Sequence, residues 1–173
     1  MRFPRIGIRG KILLTYGLTI ALVVAVEILA QDAASRAGRE FERRLERYYS
    51  IQDLRAALSD FRTLGERYMR ERQDEQRATL SASLAIIASS AKALAPAEDE
   101  PQEASFESRA ARRGIEAWAP AAAAALAARE AEAPSAYEAY KRADRIAFYV
   151  DGYLGRLLSI SMASGTARYG ESL

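Results

Sequence analysis

Apolar residues of the chain recur at two distinct periods, one continuous and one helical. Ile12 to Ala30 reads ILLTYGLTIALVVAVEILA with Glu27 as its only charge, and beyond it apolar residues return every three or four positions to the end of the chain. The 19-residue run would reach about 28 Å as a helix at about 1.5 Å per residue, close to the thickness of a bilayer's hydrocarbon core. A cleaved secretory signal is the competing reading, with Ile28-Leu29-Ala30 as its processing site. Signal cores usually stop at about 7 to 15 apolar residues. This run is longer, which favours an uncleaved signal anchor. Glu27 lies about one turn from the outer end, where its side chain can reach the interface.

Beyond the run, spacing predicts four helices and no sheet. Phe41, Leu45, Tyr48, Ile51, Leu54, Leu58, Phe61, Leu64 and Tyr68 form one stripe on a first helix that ends near Arg72. Leu80, Leu84, Ile87, Ala91 and Leu94 repeat at steps of four and three on a second helix, from about Asp74 to Ala95, the pattern of a knobs-into-holes seam. A third, from about Gln102 to Ala131, carries Phe106, Ala110, Trp118 and a run of alanines, with a kink or break expected near Pro120. The fourth, from about Ser135 to Tyr169, places Ala136, Tyr140, Ala143, Ile146, Val150, Tyr153, Leu157, Ile160 and Ser164 on one side, with Ser135 and Glu138 spaced as a capping box. The polar segment from Pro96 to Pro101 is a helix-helix loop. The expected fold is therefore all-α: one N-terminal transmembrane helix followed by an antiparallel up-down-up-down four-helix bundle. In domain terms this gives a basic cytoplasmic head at 1–11, a transmembrane signal anchor at 12–30 and an extracytoplasmic bundle at 31–173. An even number of passes returns the end of the fourth helix beside the start of the first, at the membrane.

Charge sets the orientation. Arg2, Arg5, Arg9 and Lys11 precede the apolar run, and a basic excess marks the cytoplasmic flank. Without these four, 21 basic residues face 23 acidic ones, so the pI near 9.0 comes mostly from the head and no nucleic-acid surface is implied. Cysteine and histidine are both absent. Disulfides, thiol nucleophiles, Ser-His-Asp triads, Cys/His zinc sites and histidine phosphorylation are thereby excluded within these residues. No cofactor is expected, and a domain that needs no disulfide suits a bacterial envelope.

Arg142, Arg145, Tyr149, Gly152 and Arg156 follow one another at steps of three and four on one face of the fourth helix, beside its apolar stripe. Arg55 and Arg62, seven apart on the first helix, are candidates to face the same groove. Guanidinium groups converging beside a tyrosine suit a small anionic ligand such as a carboxylate, whereas a solvated face paired with Glu138 and Asp144 is the plainer alternative. Tyr48, Tyr49 and Tyr68 are candidate pocket residues, but tyrosines at helical spacing more often form the rim of a core. Glu98, Asp99, Glu100 and Glu103 are acidic but lack the fixed spacing of a cation site. No pair of carboxylates is set in an environment that would tune it for catalysis, so neither catalytic nor metal-ligating residues are assigned.

The basic start GIRGKILLTYG, the single apolar run, YYSIQDLRAAL from Tyr48 to Leu58, and YEAYKRADRIAFYVDGYLGRLLS from Tyr137 to Ser159 together resemble the extracytoplasmic sensor region of a bacterial membrane sensor histidine kinase. Similar four-helix modules occur in chemoreceptors. The resemblance implies a two-component receptor module in the cytoplasmic membrane, homodimeric, with its N-terminus inside and its bundle outside. It implies detection of a small ligand or an envelope protein by helix displacement. Kinase activity does not carry over, because these residues include no phospho-accepting histidine and no glycine-rich ATP lid. A single-span structural or adaptor protein of the envelope is the alternative, and a secreted bundle released after Ala30 is a third. Because each helix needs its neighbours to bury its stripe, residues 31–173 alone should give an almost wholly helical circular dichroism spectrum and one cooperative thermal transition. Substantial sheet, or a gradual melt, would contradict the bundle.

Overall fold

The computed structural model describes residues 8–71, 74–96 and 101–170. Its elements are α1 (Ile8–Glu71), α2 (Asp74–Ser90) followed by a short 3-10 turn (Ala91–Leu94), α3 (Gln102–Glu130) and α4 (Ala136–Gly170). All are helical, as the periodicity predicts. Arg2, Arg5, the acidic loop residues Glu98, Asp99 and Glu100, and Leu173 lie outside the described residues, as do the side chains of Lys11 and Ser164. The chain divides into two units, 1–45 and 46–173, with the division inside α1.

In the first unit, α1 exposes Leu18, Ile20, Leu22, Val23, Val24, Val26, Ile28 and Leu29 on every side. Beginning at Tyr16, this helix is long and apolar enough to cross a membrane, with a mean hydropathy of 1.7 over its most apolar stretch. Ion pairs Arg36–Asp32 and Arg44–Glu40 follow it one helical turn apart. Phe41 and Leu45, placed by spacing on the core stripe, are instead exposed.

The second unit holds the core. Ile51, Leu54, Leu58, Phe61 and Tyr68 of α1 are buried as their spacing predicts, and Leu80, Ile87, Ala91 and Leu94 are buried along α2 and its terminal turn. Leu84 is only half-buried. At the centre the Trp118 ring meets Phe61 edge-on, with centroids 4.9 Å apart and planes at 82°. That arrangement places the positive ring edge against the negative face of its neighbour.

Seams of α3 and α4 differ from the expected ones. The buried line of α3 is Ala104, Ser108, Ala111, Ile115, Trp118, Ala122 and Ala125, an unbroken four-three repeat, while Phe106 is exposed. A bulky phenylalanine outweighed small residues in the periodicity, but the small residues set how closely the helices approach. Gly114 shows this directly: a Cβ there would stand 2.6 Å from Cγ2 of Val150. On α4, Ala147 and Leu154 are fully buried, and Ile146, Tyr153 and Ile160 are only partly so, which rotates the seam slightly from the predicted one. Helix α3 also passes unbroken through Pro120. Pro120 and Glu116, whose carbonyl loses a hydrogen bond to it, both sit on the exposed side where water replaces that bond. Ser135 precedes α4 and its carbonyl accepts the Ala139 N–H at 2.9 Å, the N-cap position.

Ile115→Ala should lower the unfolding free energy by about 2 to 5 kcal/mol, because the site is fully buried and hemmed by helix backbones that cannot collapse. Leu84→Asp should cost less than Leu80→Asp, since a half-exposed carboxylate can stay hydrated. Urea titrations of the three variants check both statements, and equal losses at positions 80 and 84 would contradict the observed seam.

Candidate functional site

Helices α1 and α4 of the second unit run antiparallel, and two ion pairs join them. Arg55 grips Asp151 with both prongs, Nε to Oδ1 at 2.6 Å and Nη2 to Oδ2 at 3.2 Å. Arg62 donates from Nε to Oδ1 of Asp144 at 2.7 Å. The two arginines are seven residues apart and so are the two aspartates, in reverse order, as antiparallel helices in register demand. In each pair the hydrogen bond to the carboxylate raises the guanidinium pKa, against the opposing effect of burial. A shallow groove of about 360 Å³ opens over this ladder, lined by Gln52, Arg55, Ala56, Leu58, Ser59, Arg62 and Asp151.

Backbone packing positions the ladder. The Arg55 guanidinium lies over Gly155, its carbon 3.6 Å from where a Cβ would stand, an ordinary van der Waals distance. At the other rung, the Tyr140 hydroxyl donates to the Arg62 carbonyl, and its ring fills the space a side chain at Gly65 would need, 2.7 Å from Cε2. Lys141 adds a longer contact to Glu66 at 3.8 Å. Burial first, and then the charges of Asp144 and Glu66, push the Tyr140 hydroxyl above its ordinary range.

The candidate arginines therefore separate into two sets. Arg55 and Arg62 share the groove, but Arg142, Arg145 and Tyr149 point away from the core on the outer face of α4, where all three are exposed. No ion pair or hydrogen bond among the described residues holds Arg142 or Arg145, so the local bridge to Glu138 does not form. Tyr149 instead stacks edge-on with the exposed Phe148 at 5.9 Å. Arg156, on the same sequence face, turns toward α3 and donates to Oε1 of Glu107 at 2.8 Å. The tyrosines also stay apart: Tyr68 is buried, Tyr48 is half-buried, and Tyr49 is exposed with its ring edge-on to Tyr48.

Asp151 and Glu107 are the interacting residues that spacing on a single helix does not reveal. The matching seven-residue intervals of Arg55/Arg62 and Asp144/Asp151 are the signal that finds the first. Nothing comparable marks Glu107. Elsewhere Arg47 donates to the buried Ser108 hydroxyl at 3.1 Å, and Arg77 holds Glu130, with Nη2 to Oε2 at 2.9 Å, tying α2 to the end of α3.

This arrangement is a helical bundle whose α1–α4 contact combines an apolar seam with a polar ladder at its edge. Its fold is similar to that of a chain in the solved XylFII-LytSN complex, with a TM-score of 0.60 and 12% sequence identity over 69% of this chain and 98% of that one. The sequence matches no family model, and no curated protein matches it either.

A pH prediction follows from Tyr140. Its hydroxyl has a higher pKa folded than unfolded, so its contribution is complete below about pH 10, the ordinary tyrosine value. Above that pH the unfolded chain gains the ionised form first, and stability falls as pH rises. Tyr140→Phe should lose about 1 kcal/mol at neutral pH with the hydrogen bond, and its stability should decline less steeply above pH 10. Denaturation curves from pH 7 to 11 check this, and parallel curves for both proteins would contradict it.

Proposed function

We propose that the chain is the extracytoplasmic sensor module of a bacterial signal-transduction receptor of the two-component histidine kinase type. In this reading residues 12–30 anchor it in the cytoplasmic membrane with the N-terminus inside, residues 31–173 form the sensing region outside, and two copies associate in the membrane plane. The observation that carries the reading is the structural likeness of its bundle to a chain solved within the XylFII-LytSN complex. The resemblance in sequence pattern, the exposed apolar stretch of α1 and the helical bundle support it together.

A protein is the favoured partner. The similar chain was solved as part of a complex, and Arg142, Arg145, Phe148 and Tyr149 offer an exposed, convex surface of the residue types that dominate protein interfaces. A small anion would prefer the groove, where Arg55 and Arg62 already satisfy aspartates and would have to release them.

In the proposed mechanism, binding favours one relative position of α1 and α4 over another, and only that difference in affinity drives the change. The ladder suits such a role. Partly exposed ion pairs contribute about 0 to 1 kcal/mol each, so Arg55–Asp151 and Arg62–Asp144 define a register without making departure from it costly.

A chimera tests this, with residues 1–173 joined through a second membrane span to a histidine kinase output domain. Arg55→Asp or Asp151→Arg alone places like charges together and should shift autophosphorylation severalfold, whereas the exchanged pair should restore the parent level. Parent activity in all three variants would reject signalling through the α1–α4 contact and favour a structural or adaptor role.

A further inference from the structure

A second groove, of about 530 Å³, lies between the start of α3 and the later part of α4, lined by Gln102, Glu103, Phe106, Glu107, Arg156, Ser159 and Ile160. It is separate from the ladder and contains the features that recognise an organic cation. Phe106 is 60% exposed and forms an open aromatic wall. Glu107 is nearly buried, with a side chain 12% exposed. Its Oε1 accepts from Arg156, but its Oε2 is shielded from solvent and has no hydrogen-bond partner among the described residues. A carboxylate oxygen withdrawn from water lacks a donor it would ordinarily have.

The present partner of Glu107 shows what the site accepts. The Arg156 guanidinium lies back along α4 over Gly152, with Nη1 3.8 Å from where a Cβ would be, and sits 4.8 Å above the Tyr153 ring. One carboxylate and one aromatic face thus already hold a cation, donated by the protein itself. Arg156 remains largely exposed and is held to Glu107 through Nε alone, so it can swing outward without disturbing the buried seam. With Glu103 exposed at the rim and Glu107 at the floor, an outward Arg156 leaves an acidic cleft with Phe106 as its aromatic wall. Ammonium and guanidinium groups carried on an apolar stem match that combination, donating to Oε2 while the stem covers Phe106.

We infer that this α3–α4 groove binds a small organic cation, an ammonium or guanidinium on an apolar stem, with Glu107 as its anionic anchor, Phe106 as its apolar wall and Arg156 as the displaceable occupant. The site is independent of the protein-docking reading, since it shares no residue with the outer α4 face or with the ladder.

Calorimetry on the full chain in detergent micelles tests it, with phenethylamine and agmatine as probes and glutamate as the anionic control. Both cations should bind and glutamate should not. Glu107→Gln should weaken cation binding at least about tenfold, the loss expected for a charge-assisted contact. Phe106→Ala should weaken phenethylamine more than agmatine, and Arg156→Ala, which removes the competitor, should strengthen both. Matching circular dichroism spectra and melting temperatures exclude unfolding as the cause, and Phe106→Ala, at an exposed position, remains informative if Glu107→Gln is unstable. Absence of cation binding by the parent chain overturns the inference, even if Arg156→Ala binds. So does unchanged affinity in a folded Glu107→Gln variant, or in Phe106→Ala if Glu107→Gln does not fold.

Discussion

Close approach of helices around Trp118 is the constraint on which the bundle depends. Its indole is the largest fully buried side chain and meets Phe61 of α1 from α3. Many of the buried positions around it on α3 and α4 are small, Ala104, Ser108, Ala111, Ala122 and Ala125 on one helix and Ala143 and Ala147 on the other, which lets the two helices come close. Fully burying a large apolar side chain contributes about 1.5 to 3 kcal/mol. A partly exposed ion pair contributes a fraction of that. Cohesion therefore comes from the seams, and the charged contacts adjust how the helices are set against each other.

That division of labour gives the polar contacts their meaning. Arg55–Asp151 and Arg62–Asp144 sit at the edge of the α1–α4 seam, in register and partly hydrated. Arg156–Glu107 bridges α4 to α3, and Arg77–Glu130 bridges α2 to α3. Each joins side chains of two different helices at the partly exposed edge of the bundle, and each can be exchanged for a competing charge without opening the core. Contacts of this kind suit the sensing role proposed above, because a seam made wholly of interlocked apolar side chains would resist small displacements.

Much of this architecture was legible in the chain. Periodicity alone located four helices, the seam of α2 from Leu80 to Leu94 and the core stripe of α1 from Ile51 to Tyr68, because large apolar residues at steps of three and four have one way to be buried together. The continuous apolar run at residues 12–30 was equally plain. Where the seam is built of alanine, serine and glycine, periodicity misled: Phe106 marks the wrong face of α3, and Ala147 is invisible beside Ile146 on α4. Small side chains carry little hydrophobic signal, yet they decide which face can come closest to a neighbour.

Local chemistry was also readable, but not its pairing. The sequence placed Arg142, Arg145, Tyr149 and Arg156 on one helical face from their spacing, and it placed Arg55 and Arg62 on one face of another helix. Only the tertiary structure determined that Arg55 and Arg62 meet Asp151 and Asp144, that Arg156 turns to Glu107, and that Arg142 and Arg145 stand on the outer face with no ion pair among the described residues. Spacing within a helix fixes an angle around that helix's own axis. Which residue lies opposite depends on the rotation and offset of a second helix, and close packing around Trp118 and Gly114 sets both.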